Sequence, residues 1–198
     1  MTGEVMGRLR AALGRPGGPT SDFDLNPPVR LPPGRRLREA AVLVAIQRGV
    51  LGPEVVLTKR ASTLRHHPGQ IAFPGGRRDP GDADLAATAL REAREEIGLP
   101  PRAVRLLGAL PGHETVTGYQ ITPYLAEITE PFVPRPEPGE VAEIFAAPLA
   151  HVLDPANFRV ERRLWRGDWR HYYIVPWGPY YIWGATARIL RGLADRVA

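Results

Sequence analysis

The stretch FPGGRRDPGDADLAATALREAREEIGLP, residues 73–100, decides how the chain is read. It joins a Pro-Gly-Gly segment, three spaced aspartates and a helical run carrying Glu92, Glu95 and Glu96. At about 100° per residue, Ala86, Leu90, Ala93 and Ile97 fall on one stripe, the pattern of a core-facing side, and the three glutamates are expected on the far side. Like charges at i,i+4 destabilise an isolated helix by about 0.2–0.5 kcal/mol. The cluster therefore implies either a shared cation or a solvated face on which Arg91 pairs with Glu95. The flanks favour the cation. Pro74-Gly75-Gly76 has turn chemistry that brings bare backbone and free carbonyls close to a ligand. Asp79, Asp82 and Asp84 crowd the helix start, where Asp suits the N-cap and the dipole. A calcium-binding EF-hand does not explain these aspartates. Counted from Asp82, the sixth and twelfth loop positions are Ala87 and Ala93, where Gly and Glu are required.

Working outward, 198 residues suffice for one sizeable core. EAAVLVAIQ (39–47) and EVVLTKR (54–60) read as strands joined by turn chemistry at Gly49–Pro53. Residues 103–111 and 119–129 read as further strands. Residues 140–149 alternate and then turn into a short helix before Asp154-Pro155. Strands at 157–166 and 168–177 precede a closing helix at 184–196. This order implies an α/β fold, a mixed β-sheet sandwiched between α-helices. Residues 4–13 read as a helix, and the Pro- and Gly-rich residues 15–36 as a linker or extended arm. The expected division is 1–37 for helix and arm and 38–198 for the compact domain.

The absence of cysteine excludes disulfides, thiolate zinc sites and a cysteine nucleophile. The longest clean apolar run, Ala40–Ile46, is far below the roughly 20 residues of a membrane-spanning helix. The opening MTGEVMGRLRAALG lacks the apolar stretch of a secretory signal, so cytoplasmic residence without membrane contact is expected. The formal charge of +5 comes from scattered basic residues with no dense run, so no nucleic-acid partner is expected.

Residues 91–99, REAREEIGL, resemble the second half of the Nudix hydrolase box, Arg-Glu-(apolar)-x-Glu-Glu-x-Gly-(apolar), with only Ala93 at the apolar position. The first half departs from the box, for Asp82 replaces Glu five residues after Gly76, and eight residues rather than seven separate it from Arg91. The coenzyme A pyrophosphatase branch of that family has this Asp and longer loop. LTKRASTLRHHPGQIAFPGG (57–76) is similar to the branch's upstream signature, and GYQITPYLA (118–126), EVAEIFAAPLAHVLDP (140–155) and IWGATARIL (182–190) extend the likeness over residues 38–192.

The resemblance implies hydrolysis of the pyrophosphate bond of coenzyme A, or its acyl or oxidised forms, to 3′,5′-ADP and 4′-phosphopantetheine with Mg²⁺ or Mn²⁺. Glu92 and Glu96 are implied metal ligands, with Glu95 a third ligand or a partner of Arg91, and the Gly76 carbonyl completing the shell. Glu92, Glu114 and Glu140 are the candidate general bases. Lys59, Arg60 and Arg65 are candidates to pair with phosphates, including the 3′-phosphate, and His67 occupies the signature's histidine position. The aromatic segment 169–184 fits core or interface packing, which makes a homodimer reasonable. Other nucleoside diphosphate derivatives, such as an ADP-sugar, a dinucleotide or an RNA 5′ end, are the alternative substrates. A non-catalytic binding module would require a damaged box, and the three helix carboxylates are intact.

Overall fold

The computed structural model describes residues 2–26, 34–165 and 167–198. In chain order the first elements are α1 (Thr2–Gly14), β1 (Thr20–Ser21), β2 (Arg38–Arg48), β3 (Pro53–Arg60), β4 (Ile71–Ala72), β5 (Gly75–Arg77) and α2 (Leu85–Ile97). There follow β6 (Val104–Ala109), β7 (His113–Glu114), β8 (Tyr119–Ile128), β9 (Val141–Pro148), α3 (Leu149–Val152), β10 (Arg159–Trp165), β11 (Asp168–Ile174) and α4 (Gly184–Val197).

The run AAVLVAI within β2 is apolar at consecutive positions, the mark of a strand covered on both faces. Strand β2 lies at the centre of a nine-stranded mixed sheet, parallel to β8 and antiparallel to β3 and β5. Its alternation sends Ala41, Leu43 and Ala45 to one side, where they meet Ala89, Ala93 and Ile97 of α2. Val44 and Ile46 go to the other side, into a larger cluster with Leu9 of α1 and Leu190 and Leu193 of α4. A fully buried Leu or Ile contributes about 1.5–3 kcal/mol, so these two layers hold the sheet between helices. Among the described residues no helix is long and apolar enough to cross a membrane.

Three local expectations need correction. Residues 75–77 are a strand, not a turn: Ala40 pairs with Arg77, Ala41 with Gly76 and Val42 with Gly75. The buried residues of α2 are Thr88, Ala89, Ala93, Glu96 and Ile97, while Ala86 and Leu90 are only half-buried. Glu96 thus lies on the covered side, because β5 runs along that edge of the helix.

The N-terminal arm is also more than a linker. Met6, Leu9 and Ala12 of α1 are buried in the main core. Strand β1 pairs in parallel with β7, and buried His113 bridges Thr20 Oγ1 (2.9 Å) and Asp22 Oδ1 (3.1 Å). The amide of Asn26 donates to His171 O and accepts from His171 N, both at 2.9 Å, and so fastens β11 as an added strand would. The remainder of the expected arm, residues 27–33, lies outside the described residues.

Strands β10 and β11 form a separate two-stranded sheet. Val160, Leu164 and Trp169 are exposed on it, whereas Tyr173, Trp177 and Tyr180 pack against the main core.

Candidate active site

The site is built where β5 crosses α2. Asp84 caps the helix, its Oδ1 accepting from Ala87 N at 2.8 Å, and Gly98 closes it in the left-handed conformation with φ 72°. Two glycines in β5 let it approach strand β2 on one side and the helix on the other. A Cβ on Gly75 would lie 2.5 Å from Ala41 O and 2.6 Å from Val42 Cα, and one on Gly76 would lie 2.4 Å from Glu92 Oε1. The bare backbone therefore faces the helix carboxylates directly.

Glu96 is buried, and its Oε2 accepts a hydrogen bond from Gly75 N at 3.0 Å. Burial pushes its carboxyl up to about 7; the Gly75 N–H opposes this, Glu92 adds to it, and Arg60 and Glu140 act in opposite directions with smaller effect. Burial also raises Glu92, against the pull of Arg91. Glu95 is more open and binds Arg91 Nη1 at 2.9 Å.

Arg91 organises this wall. Its Nε and Nη2 grip Asp82 Oδ1 and Oδ2 at 2.9 and 3.0 Å, a bidentate contact, while Nη1 lies 3.0 Å from Glu92 Oε1. Nη2 also donates to Arg77 O at 3.2 Å, tying β5 to the helix. Asp82 accepts from Asp79 N and Thr88 Oγ1 as well, both at 2.9 Å. The Arg91 guanidinium holds the Asp82 carboxyl well below the usual carboxylate range. Asp82 is therefore a clamp on the loop and does not line the cleft.

The opposite wall comes from the Pro-rich loop before β9. Its Arg135 N and Glu137 N donate to Ile97 O and Glu96 O, each at 3.0 Å, and so satisfy carbonyls that the helix end leaves free. This docking carries Glu137 and Glu140 to the cleft, and Glu140 O accepts from Ala61 N at 2.8 Å, linking the loop to the segment after β3. The cleft holds about 400 Å³ and is lined by six carboxylates, those of Asp79, Glu92, Glu95, Glu96, Glu137 and Glu140, against three guanidinium residues, Arg60, Arg77 and Arg91.

Of the residues expected from sequence, Arg60, Gly76, Arg91, Glu92, Glu95, Glu96 and Glu140 meet here. Lys59, Arg65 and His67 are exposed and do not line the cleft. Lys59 and Arg60 are neighbours on β3 where its register with β9 shifts, and of the two only Arg60 lines the cleft. His67 is a turn residue with φ 56°. Glu114 is paired with Arg35 on β7, away from the cleft. Glu137 was missed, although the spacing Glu137-Pro-Gly-Glu140, closed by a Glu140 N–Glu137 O bond of 3.0 Å, carries a turn signal.

Among the described residues no three His, Asp or Glu side chains already form a closed ligand set. The donor set nevertheless fits a hard divalent cation: oxygen ligands only, a buried and a half-buried carboxyl that both resist ionisation, and more negative than positive side chains around one cleft. Such a carboxylate cleft has the donor chemistry that metal-assisted hydrolysis uses.

Comparison with known proteins places the chain in a family. The NUDIX domain matches residues 37–177, and the chain belongs to the Nudix family. It is 43% identical over 160 residues to a Cronobacter sakazakii protein called Uncharacterized Nudix hydrolase NudL, covering 81% of this chain and 83% of that one. A Salmonella newport protein of the same name is 42% identical over the same lengths. Among solved structures, the NUDIX domain of Shewanella oneidensis NrtR, complexed with ADP ribose, superposes with a TM-score of 0.56 at 16% identity, covering 89% of this chain and 97% of that one. An Enterococcus faecalis MutT/nudix family protein gives 0.54 at 16% identity over 85% of this chain and 65% of that one. These two show the same fold.

Proposed function

We propose that the chain hydrolyses the pyrophosphate bond of coenzyme A, including acyl or oxidised forms, to 3′,5′-ADP and 4′-phosphopantetheine. One observation carries the chemistry: Glu92 and Glu96 are held against the bare backbone of Gly75 and Gly76, facing a loop that brings Glu140 into the same cleft. The choice of coenzyme A is supported by the signature-like residues 57–76 and by the Asp82 loop.

Glu92 and Glu96 would hold Mg²⁺ or Mn²⁺, with Glu95 available when it leaves Arg91; the Gly76 carbonyl expected as a ligand is instead turned toward Ala41 by the pairing of β5 with β2. The bound ion supplies neutralisation of the diphosphate and a more acidic water. Arg91 orients Glu92 and Glu95 through the contacts described above and keeps the loop clamped by Asp82. Glu140 accepts the proton of the attacking water on its carboxylate. Arg60 reaches the cleft with a buried Nε that has no hydrogen-bond partner among the described residues, and it binds a diphosphate oxygen. Arg65 and His67, on the loop after β3, lie outside the cleft and could meet only a part of the substrate that extends beyond it, and Lys59, exposed on β3, is given no contact.

Incubation of coenzyme A with the protein and either metal, followed by mass spectrometry, tests this reading. Equimolar 3′,5′-ADP and 4′-phosphopantetheine are expected, with no product from the Glu96→Gln protein. Turnover of ADP-sugars or dinucleotides with coenzyme A left intact would redirect the substrate. Near-normal turnover by Glu96→Gln would remove the ligand assignment.

A further inference from the structure

Beside the acidic cleft lies a second groove of opposite character, of about 500 Å³, lined by Leu37, Arg38, Glu39, Arg77, Arg78, Asp79 and Pro80. The two share Arg77 and Asp79, so a molecule bound in one extends into the other across the end of β5. Their charges differ once ion pairs are assigned. Arg78 Nη1 binds Glu39 Oε2 at 2.9 Å and donates through Nη2 to the carbonyls of Asp82 and Ala83. Asp79 lies 3.8 Å from Arg91.

Among the described residues Arg38 and Arg77 are left without a carboxylate partner. Arg38 Cζ lies 4.0 Å from the centre of the Tyr119 ring and Nη2 donates to Thr117 O at 3.0 Å, which holds the guanidinium in place. The Arg77 backbone is fixed by pairing with Ala40 and by Arg91 Nη2, yet its exposed guanidinium has no partner among the described residues. One guanidinium held in place and one free to turn, next to the apolar sides of Leu37 and Pro80, suit a ligand that is anionic at one point and flat or apolar at another. A nucleoside phosphate has that shape.

We propose that this groove holds the nucleotide half of the substrate, with Arg38 and Arg77 binding a phosphomonoester that is not cleaved. The assignment rests on the proposed hydrolysis of a nucleoside diphosphate derivative and deepens it. It moves the 3′-phosphate from the signature arginines to β2 and β5. The acidic cleft takes the cation and the scissile diphosphate, and the basic groove distinguishes nucleotides by a second phosphate.

Calorimetric titration with adenosine 3′,5′-bisphosphate and with adenosine 5′-monophosphate, both in magnesium, tests the groove without turnover. The bisphosphate is expected to bind the unaltered protein at least about tenfold more tightly, and the Arg38→Gln/Arg77→Gln protein is expected to lose that preference while keeping its affinity for the monophosphate. Both arginines project from the surface, and circular dichroism checks that the variant is folded. Equal affinities, no binding of either nucleotide, or a preference that survives in the variant would overturn the proposal. Coenzyme A turnover without this preference removes the groove assignment alone. The preference without coenzyme A turnover removes the substrate reading alone.

Discussion

Glu96 Oε2 sits 3.0 Å from the backbone nitrogen of Gly75, and this contact joins a buried helix carboxyl to a strand that exists only by pairing with β2. Strand, helix and site are thus one construction. A carboxyl removed from water stays ionised only with compensation, and one backbone N–H supplies too little. On the proposed function, a divalent ion would supply the rest.

Gly76→Ala is expected to disable the site more than the fold. The new Cβ would meet the end of the Glu92 side chain at 2.4 Å, which moves the carboxylate rather than the backbone. Displacing a reacting group by about 1 Å lowers turnover about 10²-fold. Steady-state kinetics beside a thermal melt checks this; unchanged kcat would contradict it.

Gly75→Ala reverses that balance. Its Cβ would strike Ala41 O and Val42 Cα, both backbone atoms that cannot turn aside. Destabilisation of about 1–3 kcal/mol is expected in urea unfolding. An unaltered midpoint would show that β5 does not press on β2.

Glu140→Gln is expected to lower kcat by about 10²–10⁴ while leaving manganese affinity near that of the unaltered protein. Kinetics paired with a metal titration separates a base from a ligand. Loss of metal affinity with kcat retained at saturating metal would reassign Glu140 as a ligand.

Asp82 gives the fold an acid-sensitive contact. Its folded pKa is depressed by Arg91, so the stabilisation is fully present above the unfolded value of about 3.9 and is lost as pH falls from there toward the folded pKa. Urea midpoints measured between pH 2 and 7 are expected to fall less steeply on the acid side for Asp82→Asn, which is the less stable protein at pH 7. Parallel curves would contradict the clamp.

Asn26→Ala leaves the N–H and carbonyl of His171 without their partner. Asn26 is 4% exposed, so the cost should be about 1–3 kcal/mol, with faster amide exchange along β11. Unchanged exchange at His171 would show that the arm does not hold the hairpin.

Much of this architecture was legible in the chain. The apolar run of β2 and the capped helix from Asp84 to Gly98 declare themselves by local chemistry, because burial on both faces and helix ends each demand particular residues. Strand β5 does not, since Pro74-Gly75-Gly76 has the composition of a turn and becomes extended only against Ala40–Val42. The far side of the helix was read only in part for the same reason: periodicity set all three glutamates opposite the core-facing stripe, whereas β5 covers Glu96. Two-residue strands such as β1 and β7 are too short to carry a period. Glu137 and Glu140 reach the cleft through a loop whose backbone caps α2, a tertiary relation with little trace in sequence.

The central claim is tested most directly by crystals soaked in manganese and measured for anomalous scattering. The account predicts an ion bound by carboxylate oxygens of both Glu92 and Glu96, at about 2 Å. An ion bound elsewhere, with those two side chains turned from it, would contradict the account.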